Sequence, residues 1–463
     1  DRIDRENIVA VLNEVLPVHR LNAGEADYLY KYYRGYQPIL LRTKEVRPEI
    51  NNKVVENRAN EIVAFKTGYC FGEPIQYVAA GGLDNKIQDS LQLLNRYMEA
   101  AGKTPVDKEM ADWMHIQGNA YRFIVPADYN DISLAPFRIR ALDPRMTFVV
   151  YDNSIDENCV LGVTYVCHDD QTTTYYCYTR DMYYEISGST LTAAKVESVK
   201  PHALGAVPII EYPLNSARLG AFEIVLPLLD ALNEVASDRL DGVDQFIEAL
   251  LLFHNVDIDA EMFEQLRALG ALAYADVSPD KKGEVKYISQ QLDQNAVQSF
   301  VNYAYDAVLT ICGMPNRNGG YSTSDTGTAV IMRDGWYAAE SRAKDTEIMF
   351  KASERIFLAT ALKICRDYNR LSLLPWDIDV KFTRRNYDNI QAKAQVLVTL
   401  LEKIPPRQAY IYCNMFTDPE AAYQEYEDWQ KAQSERIQEA SISGTIEEKE
   451  EEISTESDDD RAD

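Results

Sequence analysis

Asn60-Glu61-Ile62-Val63-Ala64-Phe65-Lys66-Thr67-Gly68-Tyr69-Cys70-Phe71-Gly72-Glu73-Pro74-Ile75-Gln76-Tyr77 is the most telling stretch of this chain. Val54, Val55, Ala59, Ile62, Val63 and Phe65 recur at helical spacing, so a helix is expected over 52–66. Gly68 can take a positive φ and stop that helix. Tyr69 and Phe71 can cap a core, and Gly72 and Pro74 can fix the turn into a strand. By itself the stretch fits a helix-to-strand connection in any α+β protein.

Working outward, short amphipathic helices are expected at 5–18, 24–34, 85–100 and 107–117. From about 118 to 212 the texture changes. Tyr- and Thr-rich runs (Tyr121–Val125, Phe137–Ile139, Thr147–Tyr151, Val160–Val166, Thr172–Tyr178, Met182–Ile186) alternate with turn signals and predict an antiparallel β segment. A long helix follows at 219–253, with Leu229, Leu232, Ala236, Leu240, Val243, Ile247 and Leu250 three or four residues apart. An insert over 254–290 reads as a short helix near 260–269 and two strands. Beyond it come a helix at 293–312, a Gly-, Ser- and Asn-rich loop at 316–327, and proline-free helical periodicity over 328–368. At ~1.5 Å per residue that last element would span roughly 60 Å, so it crosses the whole subunit or is kinked. A strand near 377–383 and helices at 388–404, 406–415 and 419–438 complete the pattern. From Ile446 onward, ten carboxylates face two basic side chains, which predicts a disordered tail.

The 463 residues are 46% hydrophobic, enough for two to four packed units. Lys and Arg number 47 and Asp and Glu 73, a net charge of −26. Such a chain repels nucleic acid and anionic membranes at long range, which removes sequence-reading DNA binders. Seven cysteines, none in a CxxC pair, read as free thiols of a reducing compartment. No apolar run reaches the ~18–20 residues a membrane span needs, and the charged start is unlike a signal peptide, so a soluble cytoplasmic product is expected.

The search for reaction chemistry returns little. The chain contains no Walker loop, GxGxxG, HExxH, GxSxG or EF-hand loop. Cys167-His168-Asp169-Asp170 with Cys177 gathers metal-competent atoms, but it sits at a hairpin where Asp-Asp is ordinary turn chemistry. The carboxylate pairs Asp257/Asp259 and Asp377/Asp379 alternate as solvated strand faces do. No catalytic, cofactor-binding or metal-binding residue is therefore assigned, and the chain is expected not to be an enzyme. The alternative reading is a soluble metal-dependent hydrolase built on His168 and nearby carboxylates.

The 60–77 stretch, with Lys66, Gly68, Tyr69, Phe71, Gly72 and Pro74 in a K-x-G-Y-x-F-G-x-P-I pattern, resembles the N-terminal signature of phage portal proteins of the Bacillus-phage type. The order of the remaining elements is similar too. Leu228–Asp238 fits the start of a stem helix, and Met314-Pro315 followed by Gly319, Gly320 and Gly327 fits the tunnel loop. The resemblance implies an α+β subunit, mainly helical, with a wing at 1–218, a stem helix at 219–253 and a clip at 254–290. A returning stem helix at 291–313, a tunnel loop at 314–327, a wing with a long kinked helix at 328–404 and a crown with the acidic tail at 405–463 would complete it.

It also implies a function: a homo-oligomeric ring of about twelve at one capsid vertex, through which double-stranded DNA is packaged and ejected. The implied partners are the terminase motor, a head-completion or adaptor protein, the major capsid and scaffold proteins, and non-specific double-stranded DNA in the channel. No membrane and no cofactor are implied. The ring would be assembled in the bacterial cytoplasm and end in the virion. Asn316, Arg317, Asn318, Gly319, Gly320, Tyr321, Ser322 and Thr323 would face the channel, or form only a flexible helix connection. Lys281, Lys282 and Lys286 would touch DNA or an acidic docking partner, or protect a solvated hairpin edge. Another phage head-assembly protein is a further alternative.

Overall fold

The computed structural model describes residues 2–80, 85–128, 134–247, 250–254, 284–288, 294–316, 335–384, 390–413, 415–416 and 419–436. The fold is mixed, with helices and antiparallel sheet, as an α+β chain requires. Two compact units share it. The first is Asp1–Gly68, Val106–Phe123 and Arg140–Glu354; the second is Tyr69–Pro105, Ile124–Ile139 and Arg355–Asp463.

In the first unit, α1 (Ile8–Tyr33) is one continuous helix where two short ones are expected. Pro17 lies inside it on the exposed side. A proline there removes one backbone hydrogen bond, yet both halves of α1 are pinned. Ile8, Leu12 and Leu16 pack on Phe148, Leu161, Val163 and Tyr184, while Leu29 and Tyr32 enter a separate helical core. That burial outweighs the lost bond. The sheet under the first half is a meander in the order β4 (Thr147–Tyr151), β5 (Cys159–Cys167), β6 (Thr173–Tyr178), β7 (Met182–Gly188), β8 (Lys195–Pro201), every neighbouring pair antiparallel. A shorter sheet runs in the order β3 (Phe137–Leu142), β2 (Asn119–Pro126), β9 (Ile209–Pro213), with Tyr121 opposite Glu211.

The helical core gathers Ala59, Ile62 and Val63 of α2 (Arg58–Phe71), Ile116 of α4 (Lys103–Gln117), and Leu229 and Leu232 of α5 (Leu226–Ile247). Val308 and Cys312 of α6 (Gln294–Cys312) close it. Helix α2 starts later and runs further than 52–66. Gly68 lies inside it with an ordinary negative φ, so it is not the helix stop. A mid-helix glycine costs about 0.5–1 kcal/mol; continuing the helix to Phe71 brings Cys70 and Phe71 into burial, which is worth more.

Arg122 of β2 is fully buried in this unit. Its guanidinium donates to Glu354 at 2.6 Å and to the Tyr212 hydroxyl at 2.8 Å, and also pairs with Asp107. Tyr212 donates in turn to the same Glu354 oxygen at 2.8 Å. The paired carboxylates are what make a buried guanidinium tolerable. Glu354 belongs to α7 (Trp336–Asp367), so this knot ties that helix to β2, β9 and α4 within the unit.

In the second unit, β1 (Gln76–Ala79) pairs antiparallel with β12 (Ile378–Lys381). Helix α3 (Asn85–Ala100) covers the pair, and Asn95 exchanges hydrogen bonds with both the Tyr77 N–H and its carbonyl. Helices α8 (Ile390–Leu401) and α9 (Pro406–Tyr412) follow, with a further helix over 419–436. Tyr410 stacks on Phe416 and meets Tyr423 and Tyr426, an aromatic cluster that joins these segments.

Candidate functional site

Helices α5 and α6 pack together in the first unit and carry between them, in sequence, the antiparallel ribbon of β10 (Leu250–His254) and β11 (Glu284–Ile288). The expected helix over 219–253 is thus shorter. Residues 219–222 are irregular, a 3₁₀ turn covers Glu223–Val225, and 250–254 have turned into strand because they pair with 284–288. Leu240 and Val243, which the apolar pattern placed inside, are about half exposed.

Polar residues on α5 hold the preceding chain. The extended segment 51–57 runs antiparallel to the helix. The backbone N–H groups of Asn52, Val54 and Glu56 donate to the side chains of Asp241, Ser237 and Asn233 at 2.7, 2.9 and 2.9 Å. The match is geometric: four helical residues rise about 6 Å, and two strand residues rise about 6.7 Å. This is why 52–57 are not helical: their donors are already taken by α5. At the far end Lys44 and Arg42 reach Asp241, and Arg42 also reaches Asp238. Burial alone would raise the Asp241 carboxyl; hydrogen bonds from Lys44 and Asn52 more than offset it and hold it below the ordinary carboxylate range. At the near end Gln37 donates to the Tyr32 carbonyl and to Asn57, and accepts from Asn233. The signal that could have found this is the row of polar residues four apart, Asn233, Ser237 and Asp241, along one side of the helix.

The roots of the 316–327 loop are well defined. Gly313 ends α6 with φ +64, and a Cβ there would meet Arg342 Cγ at 2.6 Å. Buried Met314 returns its N–H to the Leu309 carbonyl at 2.8 Å, and Asn316 donates to Asp306 at 3.0 Å. Gly335, with φ +79, opens α7; a Cβ placed on it would lie 3.8 Å from Pro315 Cα. The chain therefore leaves α6 and re-enters α7 at one place. Phe65 and Trp336 meet there at 6.2 Å, beside a cleft of about 260 Å³ lined by Glu61, Tyr305 and Met314.

Of the residues assigned from sequence, Asn316 stands at this root. Arg317, Asn318, Gly319, Gly320, Tyr321, Ser322 and Thr323 lie outside the described residues, as do Lys281, Lys282, the short helix near 260–269 and the acidic tail. Lys286 is on β11. Lys66 sits in α2, its charge acting on His115 and Cys312. Burial first, and Lys66 second, push the His115 imidazole down to about 3; Thr67 hydrogen-bonds its Nδ1 at 3.2 Å. In the second unit Phe71 packs edge-on against Phe382, Arg384 lies over the Tyr69 ring, and Gly72 and Pro74 occupy the exposed turn before β1.

The hydrolase alternative gains nothing from the geometry. His168 hydrogen-bonds Thr174 at 3.0 Å, Asp170 caps Thr172, and Cys177 is buried in the sheet core. Among the described residues no three His, Cys, Asp or Glu side chains converge as a metal site. A cleft of about 470 Å³ beside α1 contains Glu211, but Arg218 grips that carboxylate at 2.7 and 2.9 Å and Tyr151 at 2.7 Å.

A family model described as phage portal protein, SPP1 Gp6-like, matches residues 13–439. The chain belongs to this portal family. The match runs from within α1 through the 419–436 helix, so the resemblance first seen at 60–77 extends across both units. Proteins of this family are generally structural rather than catalytic. No curated protein matches the chain. Among the described residues no helix is long and apolar enough to cross a membrane.

Proposed function

We propose that this chain is the subunit of a closed ring of about twelve copies at one capsid vertex of a tailed phage, through which double-stranded DNA is packaged and later ejected. The family match over 13–439 carries the reading. The α5–α6 pair would be the stem, the β10–β11 ribbon part of the clip, and the stretch between Gly313 and Gly335 the loop facing DNA. Two roots held together by positive-φ glycines suit that last task, because they fix where the stretch leaves α6 and enters α7. The terminase motor and head-completion protein would dock on the clip, with Lys281, Lys282 and Lys286 offering cations to an acidic partner or to DNA.

The charge suits a conduit. DNA presents about one negative charge per 1.7 Å, and a basic wall would grip it and oppose movement. A chain of net charge −26 provides a wall that lets it slide. Energy for packaging would come from a separate ATPase. The test is genetic: heads assembled without this chain should hold no nuclease-protected genome, and supplying it should restore filled heads. Normally filled heads in its absence would remove the proposal.

A further inference from the structure

The part of α7 that belongs to the second unit carries a row of cations with no partner among the described residues. Arg355 and Arg366 are eleven residues apart, so they stand three turns and roughly 16 Å from each other on one outward face. Arg370 follows just past the helix end, where Asn369 takes φ +54 and the Arg370 N–H returns to the Cys365 carbonyl at 2.9 Å. All three residues are exposed, and among the described residues none of their guanidinium groups has an ion-pair or hydrogen-bond partner.

The acids close to them in sequence are already engaged. Asp367 pairs with Lys363 at 2.9 Å and Asp379 with Lys381 at 3.0 Å, while Asp377 accepts from the Leu374 N–H. Residues 355–370 thus hold four basic side chains against one acidic, 4 − 1 = +3, in a chain of net charge −26. A cation in the last helical turn complements the helix dipole, which accounts for Arg366 but not for Arg355 three turns earlier. Arg355 also lines, with the 72% exposed Trp376, a cleft of about 460 Å³, so the row ends at a recess.

The matching countercharge lies later in the same chain. Residues 446–463 carry ten carboxylates and two basic side chains, 2 − 10 = −8. They follow the 419–436 helix, which the ring contacts of Tyr423 and Tyr426 with Tyr410, and the Arg407–Glu420 pair at 2.9 Å, fasten to α9. The ten residues between Arg436 and Glu447 can span up to roughly 35 Å. A segment tethered in this way meets the arginines at a local concentration that a free anion does not match. We propose that residues 446–463 seat on Arg355, Arg366 and Arg370 of the same chain and shield them. The seating goes beyond the ring reading and stands without it.

The test uses the full chain with Arg366→Lys, which keeps the charge and offers carbodiimide an amine to join to carboxylates. Mass spectrometry should find that amine linked to acids within 447–463 about fivefold more often than Lys53 or Lys344, two exposed lysines elsewhere. The excess should disappear in about 0.5 M NaCl. Adding Arg355→Glu and Arg370→Glu should lower those links about fivefold, with melting within a few degrees of wild type because both side chains are exposed. Links spread evenly over the exposed lysines, or confined to acids outside 447–463, would overturn the proposal. So would links joining differently labelled chains in an isotope mixture, which place the segment on a neighbour. Links lost to an equimolar short DNA duplex would make the row a DNA site and overturn it as well.

Discussion

Val54 donates its backbone N–H to the Ser237 hydroxyl at 2.9 Å, and that hydroxyl donates onward to the Asn233 carbonyl at 2.7 Å. One buried side chain thus fastens an extended segment to the helix that follows it nearly two hundred positions later. Ser237→Ala should cost about 1–2 kcal/mol, the usual result of stranding a donor. Asn233→Ala should cost more, because its amide serves both Glu56 and Gln37. Urea unfolding measures the loss. Trypsin, cutting after Arg42 or Lys44, should act faster on the Asn233 variant if the 42–57 segment detaches.

Arg122 answers to two carboxylates and a tyrosine. Removing it takes a buried cation away from the buried Glu354 and Asp107 carboxylates. Arg122→Met should therefore destabilise the first unit by about 3–5 kcal/mol, or prevent folding. Arg122→Lys should recover only part of that, because a point charge cannot reach Asp107, Glu354 and Tyr212 as the planar fork does. Denaturation midpoints of the two variants against wild type check the order.

Two buried histidines link stability to pH. Burial pushes His115 down to about 3 and His19 down to about 4, from 6.5. Between these values and 6.5 the unfolded chain binds protons that the native chain does not, so stability is full above pH 6.5 and falls on acidification. The slope should approach about 1.4 kcal/mol per pH unit for each histidine. With His115→Gln the slope should be shallower, read from unfolding midpoints between pH 7 and 5, with His19 and His202, both also lowered by burial, supplying the rest.

Gly313 takes φ +64 against the side of Arg342. Gly313→Val should destabilise by about 1–3 kcal/mol from backbone strain alone. If the loop roots matter to DNA passage, it should also reduce packaging more than Asn316→Ala, which removes an exposed hydrogen bond to Asp306 and leaves the backbone unstrained. Nuclease-protected DNA per head gives the comparison.

The β segment, α3, α4, α6 and the strand at 378–381 were legible because each follows a single local period. Other places were not, the unbroken α1 across Pro17 and the strand at 250–254 among them. The helix expected at 52–66 begins only at Arg58, since the residues before it are governed by Asn233, Ser237 and Asp241, far away in sequence. Gly68 carries a helix-stop residue type, but burial of Cys70 and Phe71 overrides it. Leu240 and Val243 keep the apolar period of α5 yet face outward, and a single-chain reading cannot separate a core stripe from one that awaits a neighbour.

The most direct measurement of the central claim is the mass of the purified chain by light scattering, taken beside negative-stain images of the same sample. Closed rings of about twelve copies with a central hole are the expected result. A compact monomer or dimer at every concentration, or open filaments in place of rings, would contradict it.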